Sequence, residues 1–267
     1  MKHFLIVNAD DFGLCEEITK GIIKAYQEGI VTSTTVVVNG AYFDKSVYLL
    51  KDSGIDAGIH LTLVGGEKPV SGYIDGLVDE RGFFLKSYGE VIRRIVSGRF
   101  DKKALKRELY GQINILMDTK VKITHIDSHQ HLHLLPPVRN IIIDAAKEFK
   151  IKWIRAPRSG FSDINCIGIN ILASLLKRKL KKNQLGFTDN FIGFEERGHL
   201  NQERLLALLK NLKSGVTELM VHPGYDASHR YDWKYSWEEE LNALTSDIAK
   251  YKLKESGIIL TNFSEIK

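Results

Sequence analysis

Short apolar and β-branched runs recur along the chain, separated by segments in which apolar residues return every three or four positions. The runs 4–8 (FLIVN), 31–38 (VTSTTVVV), 55–61 (IDAGIHL), 121–127 (VKITHID), 151–155 (IKWIR), 216–222 (VTELMVH) and 257–262 (GIILTN) predict strands, with a weaker candidate near 187–194. Between them, 15–28, 101–118, 137–149, 201–213 and 237–255 carry helical spacing. This alternation implies parallel strands joined by helical crossovers, since parallel neighbours need a long return connection. Seven or eight such units suggest an α/β barrel, closed or nearly so, although an open doubly wound sheet reads much the same. No linker, low-complexity tract or short-period repeat interrupts the 267 residues, so one domain over 1–267 is the simplest organisation.

The stretch 64–90 breaks the rhythm, with six glycines and no clear period. Long irregular segments in compact domains are usually functional, which makes this one a candidate lid or substrate wall, the alternative being a plain surface insertion.

Composition narrows the class. With 43% hydrophobic and 27% charged residues, the chain can bury a sizeable core. Only four consecutive apolar residues open it, Phe4 to Val7, too few for a signal-peptide core or a membrane span, so a cytoplasmic protein is expected. Cys15 and Cys166 are the only cysteines and lie far apart in sequence, which argues against a disulfide framework or a thiolate zinc site. Any metal must then use nitrogen and oxygen ligands.

The net charge is +5, and the run Lys177-Arg178-Lys179-Leu180-Lys181-Lys182 could meet phosphate, acidic lipid or nucleic acid, or be the solvated C-terminal end of a helix. The apolar pattern from Ile164 to Leu176 leading into it reads either as a core helix with a wet end or as transient contact with an anionic membrane surface. No recognition helix, RNA-binding motif or zinc finger accompanies the basic run, so nucleic acid is not an expected partner. Self-association into a homodimer stays open.

In parallel α/β folds ligands gather at the carboxyl ends of the strands. Asp10 and Asp11 close the first predicted strand, His60 the third, Asp127 and His129 the fourth, Arg155 the fifth and His222 the seventh. Adjacent carboxylates on a continuing strand point to opposite faces, so Asp10 and Asp11 can share a site only if the chain turns, which Gly13 would permit. Two near carboxylates repel unless a cation or a proton relieves them. The competing reading is a turn-initiating Asp followed by a helix N-cap.

The segment His125-Ile126-Asp127-Ser128-His129-Gln130-His131-Leu132-His133 is the sharpest local signal. If extended, its four histidines and Asp127 share one face, more than a barrel interior is expected to bury. The strand is therefore expected to end near Asp127 or His129, the rest forming a loop with metal-binding or catalytic work, or a hydrogen-bonded network without metal. Val221-His222-Pro223-Gly224-Tyr225 sets a histidine at a strand end before a forced turn. Tyr231-Asp232-Trp233-Lys234-Tyr235-Ser236-Trp237 offers aromatic surfaces suited to sugar rings, or packing at a helix start.

At Asn8-Ala9-Asp10-Asp11-Phe12-Gly13, Gly29-Ile30-Val31-Thr32-Ser33-Thr34-Thr35, Gly58-Ile59-His60-Leu61, the histidine segment from Thr124 to His133, and His222-Pro223-Gly224, the chain closely resembles the YdjC-like carbohydrate deacetylases. The resemblance covers nearly the whole chain, with the matches in order. It implies a barrel-like α/β fold and a divalent metal, usually magnesium, held by Asp11, His60 and His129. It also implies Asp10 as general base, His222 as general acid and an N-acetylated carbohydrate as substrate. Arg155 then either keeps Asp10 ionised and oriented or forms a structural ion pair. Mixed His/Asp ligation also suits zinc or manganese. The rival readings are another metal-dependent amidohydrolase or phosphoesterase barrel, whose first strand commonly carries His-x-His, and a non-enzymatic module for anionic surfaces.

Overall fold

Strand β1 (His3–Phe12) is the axis of a parallel eight-stranded sheet in a computed structural model that describes residues 2–160 and 164–266. Residues 161–163 and both ends of the 1–267 span lie outside the described residues. The other strands are β2 (Ser33–Val36), β3 (Asp56–Leu61), β4 (Ile123–Ser128), β5 (Trp153–Ile154), β6 (Asn190–Ile192), β7 (Gly215–Val221) and β8 (Ile258–Leu260). Their order is β5-β4-β3-β2-β1-β7-β6. One edge of β1 runs beside β7 from His3↔Gly215 to Ala9↔Val221. The other edge pairs first with β8, at His3 to Leu5, and then with β2, from Asn8 onward.

The ring of strands closes through one bridge, Trp153↔Gly186, between β5 and the segment leading into β6. Ile154 N donates to Gly186 O at 3.0 Å and Gly186 N to Lys152 O at 2.8 Å. A Cβ on Gly186 would sit 2.4 Å from the Trp153 indole, so the seam requires glycine. The architecture is a barrel with a thin seam, as the alternation and the resemblance imply, rather than an open sheet.

Around it lie α1 (Glu16–Glu28), α2 (Phe43–Ser53), α3 (Tyr88–Val96), α4 (Lys102–Asp118), α5 (Pro136–Glu148), α6 (Ile164–Lys182), α7 (Gln202–Lys210), α8 (Trp237–Thr245) and α9 (Asp247–Glu255). Strand periodicity sorts the two faces of β1. Leu5, Val7 and Ala9 join the main apolar core with α1 residues Ile18, Ile22 and Ala25. Ile6, Asn8 and Asp10 face the other way, into the barrel.

Several expectations are corrected. β1 runs past 8 to Phe12, because Asp10 and Asp11 are buried rather than turned out to solvent. α2 and α3 are additional helices; α3 begins at the end of the glycine-rich stretch, which hides its period. The predicted helix 237–255 is two helices, because Ser246 leaves the helical conformation (ψ 144°) and caps the second, accepting from Ala249 N at 3.1 Å. The stretch 64–90 is more than a surface insertion: Ile74, Leu77 and Phe84 are buried in the core, and Val78 and Phe84 form an antiparallel bridge. The basic run is the C-terminal end of α6, where Lys179 Nζ reaches Asn140 at 2.7 Å and Lys177 lies over the Phe187 ring. α6 buries Ala173, Leu176 and Leu180 but leaves Ile167, Ile171 and Leu175 exposed, so its pattern is only partly that of a core helix.

Candidate active site

The barrel interior is polar, which is why it can take the side chains that the sequence expectation placed in a loop. β4 ends at Ser128, followed by a tight turn over His129–Leu134 with Gln130 and His131 at positive φ. Even so, His125, Asp127, His129 and His133 are all buried. Each finds a partner far along the chain. His125 Nε2 lies 3.0 Å from Asn8 Oδ1, and its ring stacks on Phe263. It fits because its neighbour on β3 is Gly58, where a Cβ would stand 2.5 Å from the imidazole. His133 Nε2 donates to the Arg155 carbonyl at 3.0 Å, while its Nδ1 faces Ser128 Oγ at 2.8 Å. Burial, reinforced by the Arg155 charge, pushes the His133 imidazole down to about 3, so it stays neutral and structural.

His60 and His129 converge on Asp11. The turn that brings Asp11 inward beside Asp10 is made at Asp11 itself, with φ 73°, as well as at Gly13, φ 88°. A non-glycine residue at positive φ is uncommon and stores strain, a feature that clusters at functional sites. The N-cap reading of this pair is excluded, since α1 begins after Cys15. Asp11 Oδ1 is 3.4 Å from His60 Nε2 and 3.2 Å from His129 Nδ1. The ligand atoms of Asp11, His60 and His129 lie within 4.8 Å of one another. Behind them, Asp127 Oδ1 takes His60 Nδ1 at 2.7 Å, fixing the ring with Nε2 toward Asp11 in the manner of carboxylate-supported metal ligands. Burial opposes charge on His60, but Asp127 outweighs it and raises the imidazole to about 9. His129 Nε2 is buried and has no partner. Two imidazoles and a carboxylate, one ring nitrogen orphaned, fit a divalent cation of the nitrogen- and oxygen-binding type.

Arg155, fully buried just beyond β5, gathers three carboxylates from three strands. Its Nη1 and Nη2 reach Asp10 at 2.5 and 2.7 Å, Nη1 also lies 2.5 Å from Asp127 Oδ2, and Nε donates to Glu218 Oε1 at 2.6 Å. The ligand atoms of Asp10, His60 and Asp127 are also close enough for a cation, but there the guanidinium already supplies the positive charge. Burial would raise the Asp10 carboxyl, yet the Arg155 charge and hydrogen bonds hold it far below the usual carboxylate range. Glu218 is left as the third anion around one cation. Burial raises it to about 7 despite Arg155, and its Oε2 has no partner. Thr35 Oγ1 sits at 3.2–3.3 Å from Asp10, His60 and Asp127, tying the two clusters together.

His222, just beyond β7, is fixed through its backbone: its N–H donates to Glu240 Oε2 of α8 at 2.5 Å. The following turn is clamped where Gly21 of α1 meets Gly224, too close for any Cβ. The His222 ring nitrogens make no hydrogen bond among the described residues, and the ring packs edge-on against Tyr235, 5.0 Å away. From Tyr231 to Trp237 the aromatic residues are the less exposed ones: Tyr231, Trp233 and Tyr235 are half-buried and Trp237 is buried, whereas Asp232 and Lys234 are exposed. Trp237 does start a helix, as one expectation held, but Trp233 lies 5.0 Å from His129. On another side, Gly65 and Glu67 approach His129: Glu67 Oε2 and His129 Nε2 both fall within 4 Å of where a Gly65 Cβ would be.

The structure thus brings Asp10, Asp11, His60, His129, Arg155 and His222 to one end of the barrel. Sequence reasoning placed Tyr235 only within the aromatic segment 231–237 and Glu67 only within the candidate wall 64–90, and it missed Glu218 and Glu240 as members of the site. Glu218 carried a legible signal, a lone carboxylate inside an otherwise apolar strand run; Glu240 carried none.

The family model for YdjC-like proteins matches residues 4–255. A carbohydrate deacetylase of Thermoanaerobacter pseudethanolicus is 31% identical over 272 residues, covering 99% of both chains. One from Brevibacillus brevis is 31% identical over 273 residues, covering 98% of this chain and 99% of its own. The crystal structure of a putative cellobiose-phosphate cleavage protein from Enterococcus faecalis superposes with a TM-score of 0.81 at 25% identity, covering 99% of this chain and 98% of its own.

Proposed function

Because the chain belongs to the family of YdjC-like proteins, we propose that it is a metal-dependent hydrolase that removes the acetyl group from an N-acetylated sugar. The observation that carries this reading is the Asp11, His60 and His129 triangle beside an Asp10 carboxylate that Arg155 keeps ionised. A divalent cation held by Asp11, His60 and His129, magnesium in our assignment, would supply Lewis-acid polarisation of the acyl oxygen and a lowered pKa for the attacking water.

The chain's own residues do the rest. Asp10 accepts the proton of the water that adds to the acetyl carbon. Arg155 holds that carboxylate by two hydrogen bonds, fixing the direction of its free lone pairs. His222, with ring nitrogens open to the site, gives a proton to the departing nitrogen, so the C–N bond breaks into acetate and a free amine. Segment 64–87 walls one side through Glu67, and the aromatic residues from Tyr231 wall the other. The substrate is an oligosaccharide or a lipid-linked glycan, met in the cytoplasm.

The test is acetate release from a panel of N-acetylated mono- and oligosaccharides, with and without chelator, beside Asp10→Asn and His129→Ala. Release should require metal. Asp10→Asn should keep the metal and lose turnover by about 10²-fold or more, whereas His129→Ala should lose the metal first. Full activity in Asp10→Asn would remove the general-base role.

A further inference from the structure

We propose that the hydroxyl of Tyr235 is a catalytic hydrogen-bond donor, directed at the acyl oxygen that gains negative charge as water adds to the acetyl group. This rests on the deacetylase reading above and assigns one more group to the same site.

The position of the ring is built rather than incidental. Tyr235 is one of the aromatic residues of 231–237, held between Trp233 and Trp237 with centroid separations of 5.6 Å to each. Its third side is the backbone of Gly198, where a Cβ would stand 2.3 Å from the phenol ring; only glycine, here at φ 80°, leaves room. Ser236 N donates to Gly198 O at 2.7 Å and locks the two segments together. The fourth neighbour is His222, 5.0 Å away and edge-on. Trp233, next along the ladder, packs on His129. The phenol therefore touches His222 directly and is joined to the Asp11, His60 and His129 triangle through Trp233, which packs on His129.

Its chemistry suits a donor. Among the described residues the hydroxyl has no hydrogen-bond partner, and the negative charges of Asp11, Glu240 and Asp10 act on it from a distance. Burial first, then those charges, push the phenol above its ordinary range, so it keeps its proton throughout the physiological span. A neutral O–H fixed by rigid packing, and not already bonded to an acceptor among the described residues, needs little reorganisation when charge develops on the substrate. No bond to the tyrosine forms or breaks: the O–H hydrogen bond shortens as the carbonyl oxygen becomes anionic and relaxes when acetate is released.

Tyr235→Phe tests this directly, because the phenyl ring preserves the contacts to His222, Trp233, Trp237 and Gly198. We expect kcat for acetate release to fall by about 10²- to 10³-fold, the loss found when one oxyanion donor is removed, with KM and bound metal unchanged. Binding of methylphosphonate, a tetrahedral anion the size of the reacting group, measured by calorimetry on the metal-loaded protein, should weaken by about tenfold or more. Tyr235→Leu, which also removes the ring, should lower Tm as well, whereas Tyr235→Phe should not. An unchanged kcat in Tyr235→Phe, or a loss matched by loss of metal or by a rise in KM alone, overturns the proposal. If the wild-type protein releases no acetate from any sugar, the deacetylase reading fails on its own. The methylphosphonate comparison then decides Tyr235, unchanged affinity counting against it.

Discussion

Glu218 shows how one buried charge sets limits on its neighbours. Arg155 faces three carboxylates, and its bidentate pair goes to Asp10, leaving Glu218 a single contact at Nε and an unpartnered oxygen. Its folded pKa of about 7 lies above the ordinary 4.5. A carboxyl raised in this way favours the folded state fully below the unfolded value, and the advantage is lost as pH climbs through the folded one. Asp10 behaves oppositely, its folded value being depressed, so its contribution is present above about pH 4 and fades only in acid. Glu218→Gln keeps an acceptor for Arg155 Nε and cannot ionise. Thermal melts should therefore show the variant gaining on the wild-type protein as pH rises from about 4.5 to 8. Parallel Tm curves across that range would mean that Glu218 is ionised at both ends.

At the scale of elements, the interior of the barrel is shaped as much by missing side chains as by those present. β3 carries Gly58 where β4 carries His125, and the imidazole is then fixed by Thr124, Asn8 and the Phe263 ring. Gly58→Ala forces a Cβ to 2.5 Å from that ring, with no flexible end able to yield. Overpacking of a filled core costs about 1–3 kcal/mol. Urea unfolding should place the variant in or above that range, and a change under about 0.5 kcal/mol would show that His125 can move aside. The histidine turn is an element of similar precision: His133 grips the Arg155 carbonyl, so the same short segment that presents His129 also holds the arginine that orients Asp10.

For the whole molecule, a cation held by the triangle would couple metal binding to folding, because Asp11, His60 and His129 come from three separate strand ends. A cation that binds only the folded chain stabilises it by mass action, about 2.7 kcal/mol at a concentration one hundred times Kd. His60 is raised to about 9, so under the proposed ligation it would shed a proton near pH 7 on binding the cation. Metal titration should raise Tm and release protons, detectable by calorimetry in buffers of different ionisation enthalpy. Asp10→Asn should retain both effects and His129→Ala should lose both. Proton uptake on binding would contradict the pairing of His60 with Asp127.

Periodicity alone fixed the alternation of strands and helices, hence a parallel sheet, because strands buried on both faces read as short apolar runs and half-buried helices as apolar residues every three to four positions. That the sheet closes into a barrel was decided by the Trp153↔Gly186 seam. It also put Asp10, Asp11, His60, Asp127, His129, Arg155 and His222 at strand ends, since polar residues that interrupt apolar runs mark where a strand leaves the core. What the local sequence could not contain was the division of labour among neighbours. His125, His129 and His133 share one segment, yet one is fixed by Asn8, one opens toward Asp11, and one holds Arg155. Those partners lie between 22 and 118 positions away. Glu240 joined the site for the same reason, while for Glu67 and Tyr235 the sequence offered the segment and not the residue. A side chain's role depends on the charges and surfaces packed around it, and only tertiary contact decides which these are.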